Sequence, residues 1–320
     1  MENKPTIMYV KVSENCNSNC FMCHYAGKRD SYNITMKEYK TLLNLMDKDD
    51  YRVIRFTGGE PLLHPNIIDF IKEASDRKLY TSIITNGFLL KIKAKELVEN
   101  GLNQCIISLD GSNSEVHDSL RNFKHCFDNI MEGITMLRKY NPEINIRINT
   151  VVSGRNIHDI TNIYDLLVKL KVDQWSIIPV KYKENIWDKE SINYYKEFRK
   201  KVKNSNKILF LGDSKNFAGN TEVDIENVFE NNGRIVSNNK CKVVDFVRFY
   251  IPDRKLIVPC NCISHRLNKI PLELNDDINT NCEKLRMYLK ENSKDCTGCE
   301  PLNVYINNHS EIMFDDEIKF

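Results

Sequence analysis

The order in which short apolar runs alternate with helical ones constrains this chain more than any other feature. Ile7 to Val12 alternates apolar and polar as a strand does, and Met36 to Asp47 then puts Tyr39, Leu42, Leu43 and Met46 on one helical face. Apolar, β-branched-rich runs recur at Val53 to Phe56, Tyr80 to Thr85, Cys105 to Leu109, Ile144 to Val152 and Gln174 to Pro179, with helical spacing between them. Six βα units fit this pattern. They demand a parallel sheet with right-handed crossovers, and six units curl into a partial barrel whose active site gathers at the C-terminal strand ends. The expected fold class is therefore α/β, a partial (β/α)6 TIM-like barrel over residues 1–210, with a small C-terminal α+β domain.

After Asn204 the rhythm breaks. Asn- and Gly-rich stretches at Asn216 to Asn220 and Asn231 to Asn239 interrupt it, so residues 211–239 are expected to be a linker and residues 240–320 the second domain. That domain is expected to hold a hairpin, Phe246 to Ile251 and Lys255 to Val258 around Pro252-Asp253-Arg254, and a helix near Cys282 to Glu291.

Charge excludes some partners. The 46 Lys+Arg and 44 Asp+Glu nearly cancel, and no run of like charge is long enough to track a phosphate backbone or a membrane surface, so nucleic acid and membrane are not expected partners. The apolar run Ile7 to Val12 is too short for a signal sequence or a membrane span, which points to the cytoplasm. In that reducing compartment eleven cysteines stand for metal ligands or buried apolar residues before disulfides.

Three of them, Cys16, Cys20 and Cys23, share the loop after the first strand at C-x-x-x-C-x-x-C spacing. Their thiolates can all turn to one side, which suits three irons of a cubane and leaves the fourth iron open. A structural zinc site lacking one ligand is the alternative, although structural zinc normally closes with four.

Cys16-Asn17-Ser18-Asn19-Cys20-Phe21-Met22-Cys23 followed by Thr57-Gly58-Gly59-Glu60-Pro61 resembles the radical S-adenosylmethionine superfamily. The resemblance implies that Cys16, Cys20 and Cys23 hold a [4Fe-4S] cluster whose open iron is chelated by the methionine moiety of S-adenosylmethionine. It implies Met22 beside the adenine and Gly58, Gly59 and Glu60 at the methionine amine. Two glycines let a backbone approach closely, and a carboxylate accepts from an ammonium. Ser108-Leu109-Asp110-Gly111 with His117, Asp118 and Arg121 is similar to a segment of members that carry extra clusters, where the Ser and Arg positions approach the ribose and the carboxylate. Capping or ion pairing remains open for Ser108 and Arg121. Thr85-Asn86-Gly87 supplies either a contact through Asn86 or a turn with Gly87 at positive φ. Asn149 and Ile178 carry weaker signals of the same kind.

Cys241 and Cys260 flank the expected hairpin, and Cys296-Thr297-Gly298-Cys299 adds a tight pair. This set resembles the twitch form of the SPASM-like auxiliary domain, known from 2-deoxy-scyllo-inosamine dehydrogenases, which implies a second, fully ligated [4Fe-4S] cluster on Cys241, Cys260, Cys296 and Cys299. Cys262 and Cys282 are possible substitutes, and zinc is the alternative occupant. Cys105 and Cys126 fit small buried residues.

The resemblance implies reductive cleavage of S-adenosylmethionine to a 5′-deoxyadenosyl radical that abstracts hydrogen from a substrate, with the electron from a donor such as flavodoxin or ferredoxin. Arrangements of this kind favour dehydrogenation, decarboxylation or epimerisation of a small-molecule substrate such as a sugar, aminocyclitol or nucleoside. Met22 to Tyr25 and Val258 to Arg266 are similar to the cytosylglucuronate decarboxylases, and His24, Tyr25, Lys28 and Arg29 stand where an anionic substrate would pass. No general base is evident. A maturase acting on a ribosomally made peptide is the main alternative, and the start of the first strand near residue six tilts the expectation toward a small molecule. A non-catalytic zinc or redox-sensing protein is the alternative from another class.

Overall fold

The structure is a computed structural model that describes residues 7–23, 25–29, 31–48, 51–180, 188–202, 207–211, 247–259 and 277–291. Strands β1 (Ile7–Ser13), β2 (Val53–Gly58), β3 (Tyr80–Thr85), β4 (Gln104–Ser108), β5 (Asn145–Val152) and β6 (Gln174–Pro179) occupy the six expected apolar runs. Helices α1 (Met36–Met46), α2 (Ile67–Asp76), α3 (Leu90–Glu99), α4 (Ser114–Arg121), α5 (Cys126–Tyr140), α6 (Ile160–Lys169) and α7 (Lys189–Val202) separate or follow them. With three further strands, β7 (Leu209–Leu211), β8 (Val247–Ile251) and β9 (Leu256–Val258), the sheet order is β7-β6-β5-β4-β3-β2-β1-β8-β9, parallel from β7 to β8, so the expected α/β fold with a partial, open barrel is present. Strand β7 (Leu209–Leu211) had no counterpart in the sequence pattern, because three apolar residues carry no periodicity.

The outward faces of the strands and the inner faces of the helices make one apolar core. Met8, Val10, Phe56, Ile83, Ile107, Ile148 and Trp175 lie under Tyr39, Phe70, Leu97, Ile130 and Leu167, all at 0% exposure, and Leu42 and Met46 of α1 join the same core at 1% and 2%. Burying each large side chain of this kind contributes about 1.5–3 kcal/mol before entropy is counted. The opposite faces line the barrel. Near the C-terminal ends Lys11, Thr57, Ile84, Ser108, Asn149 and Ile178 are half-buried, marking an interior open to that side. At the N-terminal end a polar network closes it. Arg55 donates to Tyr9 (2.7 Å), Ser82 (3.2 Å) and Gln104 (3.1 Å), and Gln104 donates on to Asn145 (2.9 Å) and Gln174 (3.0 Å).

The hairpin is where the turn chemistry puts it, as β8 (Val247–Ile251) and β9 (Leu256–Val258), with Lys255 left-handed at φ 46°. It does not stand apart from the barrel sheet. Strand β8 runs parallel to β1, with Ile7 opposite Val247 and Tyr250 opposite Val10, and the Tyr9 and Phe249 rings stack at 4.6 Å. Helix α8 (Ile278–Glu291) covers the hairpin by packing Leu285 among Ile251, Leu256 and Val258. Among the described residues, no helix is long and apolar enough to cross a membrane.

Candidate functional site

The loop after β1 is folded onto itself before any ligand is considered. The Cys16 amide donates to the Lys28 carbonyl at 3.1 Å and the Gly27 amide to the Ser18 carbonyl at 3.0 Å. Glu14 and Ser31 close its base through the Glu14 amide and the Ser31 hydroxyl (3.0 Å), and the Glu14 carboxylate takes Lys11 at 2.8 Å and Lys28 at 2.6 Å. These contacts account for Lys28, which the sequence offered as a substrate contact; Arg29 caps the Lys28 carbonyl at 2.9 Å. The Arg155 guanidinium lies over the Phe21 ring, 4.4 Å from its centroid, clamping the other side of the loop. Cys16 and Cys20 are buried at 8% and 6%, whereas Cys23 is exposed.

Burial pushes the Cys16 thiol up to about 11, and Glu60, Cys20 and Cys23 act in the same direction. The three sulfurs are thus near enough to repel one another once ionised, and a positive metal centre would relieve that repulsion.

Gly58 and Gly59 bring two stretches of backbone close together. Gly58 has φ +138°, and an added Cβ would lie 2.0 Å from the Ser13 carbonyl oxygen; at Gly59 it would lie 2.2 Å from that of Asn15. The Gly59 amide donates to Ser13 (2.8 Å) and the Glu60 amide to Asn15 (2.7 Å). The glycines therefore let the end of β2 lie flat against the start of the cysteine loop. Glu60 is 1% exposed, and its carboxylate accepts from the Leu62 amide (2.9 Å), the Thr85 hydroxyl (2.7 Å) and the Asn86 amide (2.6 Å). Burial raises this carboxyl to about 7. Asn86 in turn donates to the Asn17 side chain at 2.7 Å, so the ends of β2 and β3 are both tied to the cysteine loop. Gly87 has the positive φ expected of it, +83°.

Behind the thiols stands a charged pair. Arg121, the last residue of α4, has Nε 2.6 Å from Oδ2 of Asp110, which is 0% exposed, and its Nη1 points to Cys20 Sγ at 3.8 Å. Asp110 Oδ1 accepts from the Val151 amide at 2.8 Å, and the Asp110 amide donates to His117 Nδ1 at 3.1 Å. Burial, with Arg121 adding, pulls the His117 imidazole down to about 3, so it stays neutral. Ser108 sits beside Asn149 in register and half-buried, and Asn149 accepts from Arg147 at 3.0 Å. Met22 is half-buried on the cysteine loop.

Two further thiols stand nearby. Cys105 is fully buried in β4, and Cys126, at 0% exposure, reaches the Asn86 carbonyl at 3.5 Å. Both fit the small buried residues the sequence suggested. Cys282 in α8 is buried at 4% in the apolar core beside Tyr250 and Ile257. Cys241, Cys260, Cys262, Cys296 and Cys299 lie outside the described residues, as does His24. Sequence reasoning passed over Asn17, Ser18 and Thr85, and quoted Asp110 without a role. Their signal was position: each lies inside a motif already singled out.

Among the described residues, no three His, Cys, Asp or Glu side chains converge on one metal position.

Residues 10–167 match the family model described as the Radical SAM superfamily. That stretch belongs to the radical SAM superfamily. Radical SAM membership implies a [4Fe-4S] cluster and S-adenosylmethionine. The chain is 31% identical over 176 residues to the AdoMet-dependent heme synthase of Methanosarcina barkeri, covering 53% of this chain and 49% of that protein. It is 28% identical over 166 residues to a probable GTP 3′,8-cyclase of Thermococcus kodakarensis, covering 51% and 53%. The chain thus spans about half the length of these curated relatives. Its fold is similar to that of Streptococcus suis SuiB bound to S-adenosylmethionine, with a TM-score of 0.65 at 18% identity over 94% of this chain and 72% of SuiB. The same holds for anSMEcpe with bound AdoMet, with a TM-score of 0.57 at 20% identity over 80% and 74%.

Proposed function

We propose that the chain is a radical S-adenosylmethionine enzyme of the cytoplasm that abstracts hydrogen from a small polar molecule held in the barrel interior. The observation that carries this reading is the clasp of the cysteine loop by the ends of β2 and β3, through Gly59, Glu60 and Asn86, at the open end of the barrel. Cys16, Cys20 and Cys23 would hold the cluster. Met22, Gly58, Gly59, Glu60, Asn86, Ser108 and Arg121 border the space for S-adenosylmethionine. When bound, the cluster and S-adenosylmethionine supply a 5′-deoxyadenosyl radical, given an electron from a flavodoxin- or ferredoxin-like donor.

The protein's own part is to position and to exclude water. The Arg55 and Gln104 network closes one end of the interior, so substrate enters from the cluster side. The half-buried Lys11, Thr57, Ser108 and Asn149 offer hydrogen bonds to a polar substrate. A second cluster on Cys241, Cys260, Cys296 and Cys299 would take the electron left when a substrate radical is oxidised, which suits dehydrogenation more than redox-neutral epimerisation. A peptide substrate is the second reading: SuiB has been solved bound to its precursor peptide SuiA, and its fold covers most of this chain.

The test is iron, sulfide and zinc per chain after anaerobic reconstitution, with 5′-deoxyadenosine assayed after dithionite reduction. About eight irons are expected, falling to about four in the Cys16→Ala/Cys20→Ala/Cys23→Ala variant with deoxyadenosine formation abolished. Zinc without deoxyadenosine would sink the enzyme reading.

A further inference from the structure

The three thiols are not treated alike by the protein around them. Cys23 Sγ receives the Tyr25 amide at 3.4 Å, a backbone donor of the loop itself. Cys20 Sγ instead faces two side chains, the Ser18 hydroxyl at 2.9 Å and Arg121 Nη1 at 3.8 Å. We propose that Ser18 and Arg121, the latter held by Asp110, are positioning residues that make Cys20 the electron-poor corner of the cluster and ease the cluster's one-electron reduction.

The hydrogen on Ser18 explains how this comes about. In the described geometry Ser18 Oγ donates to the Arg121 carbonyl at 3.0 Å, and the same oxygen lies 2.9 Å from Cys20 Sγ. While Cys20 is a thiol, its S–H can donate to Ser18 and leave the serine hydrogen on Arg121. Once Cys20 is a deprotonated iron ligand it has no hydrogen to give, so the Ser18 hydroxyl turns to the sulfur. At 1% exposure no water competes for that bond.

Arg121 adds charge at the same sulfur. Its guanidinium is kept there by Asp110, which is itself fixed by the Val151 amide and fully buried. Because Asp110 sits on Nε while Nη1 faces Cys20, the fork is oriented by one partner and spends another donor on the sulfur. Donors and positive charge at a ligating sulfur stabilise the reduced cluster, which carries one more electron and no broken bond.

This inference rests on the cluster reading above, and the experiment separates the two. The reconstituted full chain is titrated against poised dithionite, without S-adenosylmethionine, and the reduced first cluster is followed by EPR after subtracting the spectrum of the Cys16→Ala/Cys20→Ala/Cys23→Ala variant. Ser18→Ala and Arg121→Gln are compared with wild type, and Ser18→Thr keeps the hydroxyl. Unchanged iron content is expected for Ser18→Ala, with its reduction equilibrium moved about fivefold to tenfold toward the oxidised cluster, a tenfold change being about 59 mV for one electron. Arg121→Gln is expected to move it in the same direction, and Ser18→Thr to restore it. Unchanged equilibria in both variants at full iron content would overturn the inference, as would lost iron with no shift in the clusters that remain. The absence of any signal that depends on Cys16, Cys20 and Cys23 would instead overturn the cluster reading itself.

Discussion

Burial lifts the Glu60 carboxyl from 4.5 to about 7 while three donors occupy its oxygens. A carboxyl that holds its proton more tightly folded than unfolded stabilises the fold fully below 4.5, and that contribution is lost as pH rises through about 7. The apoprotein's thermal midpoint is therefore expected to fall between pH 5 and 8, by the equivalent of up to about 3 kcal/mol. Glu60→Gln is expected to lower the midpoint and flatten that dependence; parallel profiles for the two proteins would show that Glu60 does not titrate in this range. Gly59→Ala tests the backbone contact. Its Cβ would meet the Asn15 oxygen at 2.2 Å, so the end of β2 must lift from the cysteine loop at a cost of about 1–3 kcal/mol. Iron per chain after reconstitution is expected to drop severalfold, while far-UV circular dichroism keeps its shape. At this scale the sequence named the motif residues but not their partners. Glu60 was legible as a carboxylate beside two glycines; that it binds Leu62, Thr85 and Asn86 depends on β2 and β3 lying side by side, which no local pattern encodes.

Elements were more legible than contacts. The six strands and helix α1 have clean periods because each puts one face on a continuous core. Helix α1 also starts on a capping box, in which the Thr35 hydroxyl accepts from the Glu38 amide and the Glu38 side chain accepts from Thr35. That cap fixes where the chain leaves the cysteine loop. Thr35→Ala is expected to cost about 1 kcal/mol in denaturant unfolding. The hairpin was legible from Pro252-Asp253-Arg254, but its pairing with β1 was not, since turn chemistry specifies the turn and says nothing about a distant strand. Phe249→Ala removes the ring stacked on Tyr9 and is expected to speed hydrogen exchange at the amides of β1 along with those of β8. Faster exchange in β8 alone would mean that β1 is held by β2 without its second neighbour.

In the whole molecule, the described part of the C-terminal region extends the sheet, because β8 is the second neighbour of β1. Ile7 is opposite Val247, about 240 positions further along the chain. Closing so long a loop costs about 5 kcal/mol of chain entropy by its logarithmic length dependence, and such distant pairing slows folding. For a newborn chain this sets an order of events. A ribosome releases Cys16, Cys20 and Cys23 while Val247 to Ile251 are still untranslated, so the strand that leads into the thiols first has β2 alone to lean on. Iron delivered before synthesis ends meets a half-flanked loop, and iron delivered afterwards meets one fixed from both sides.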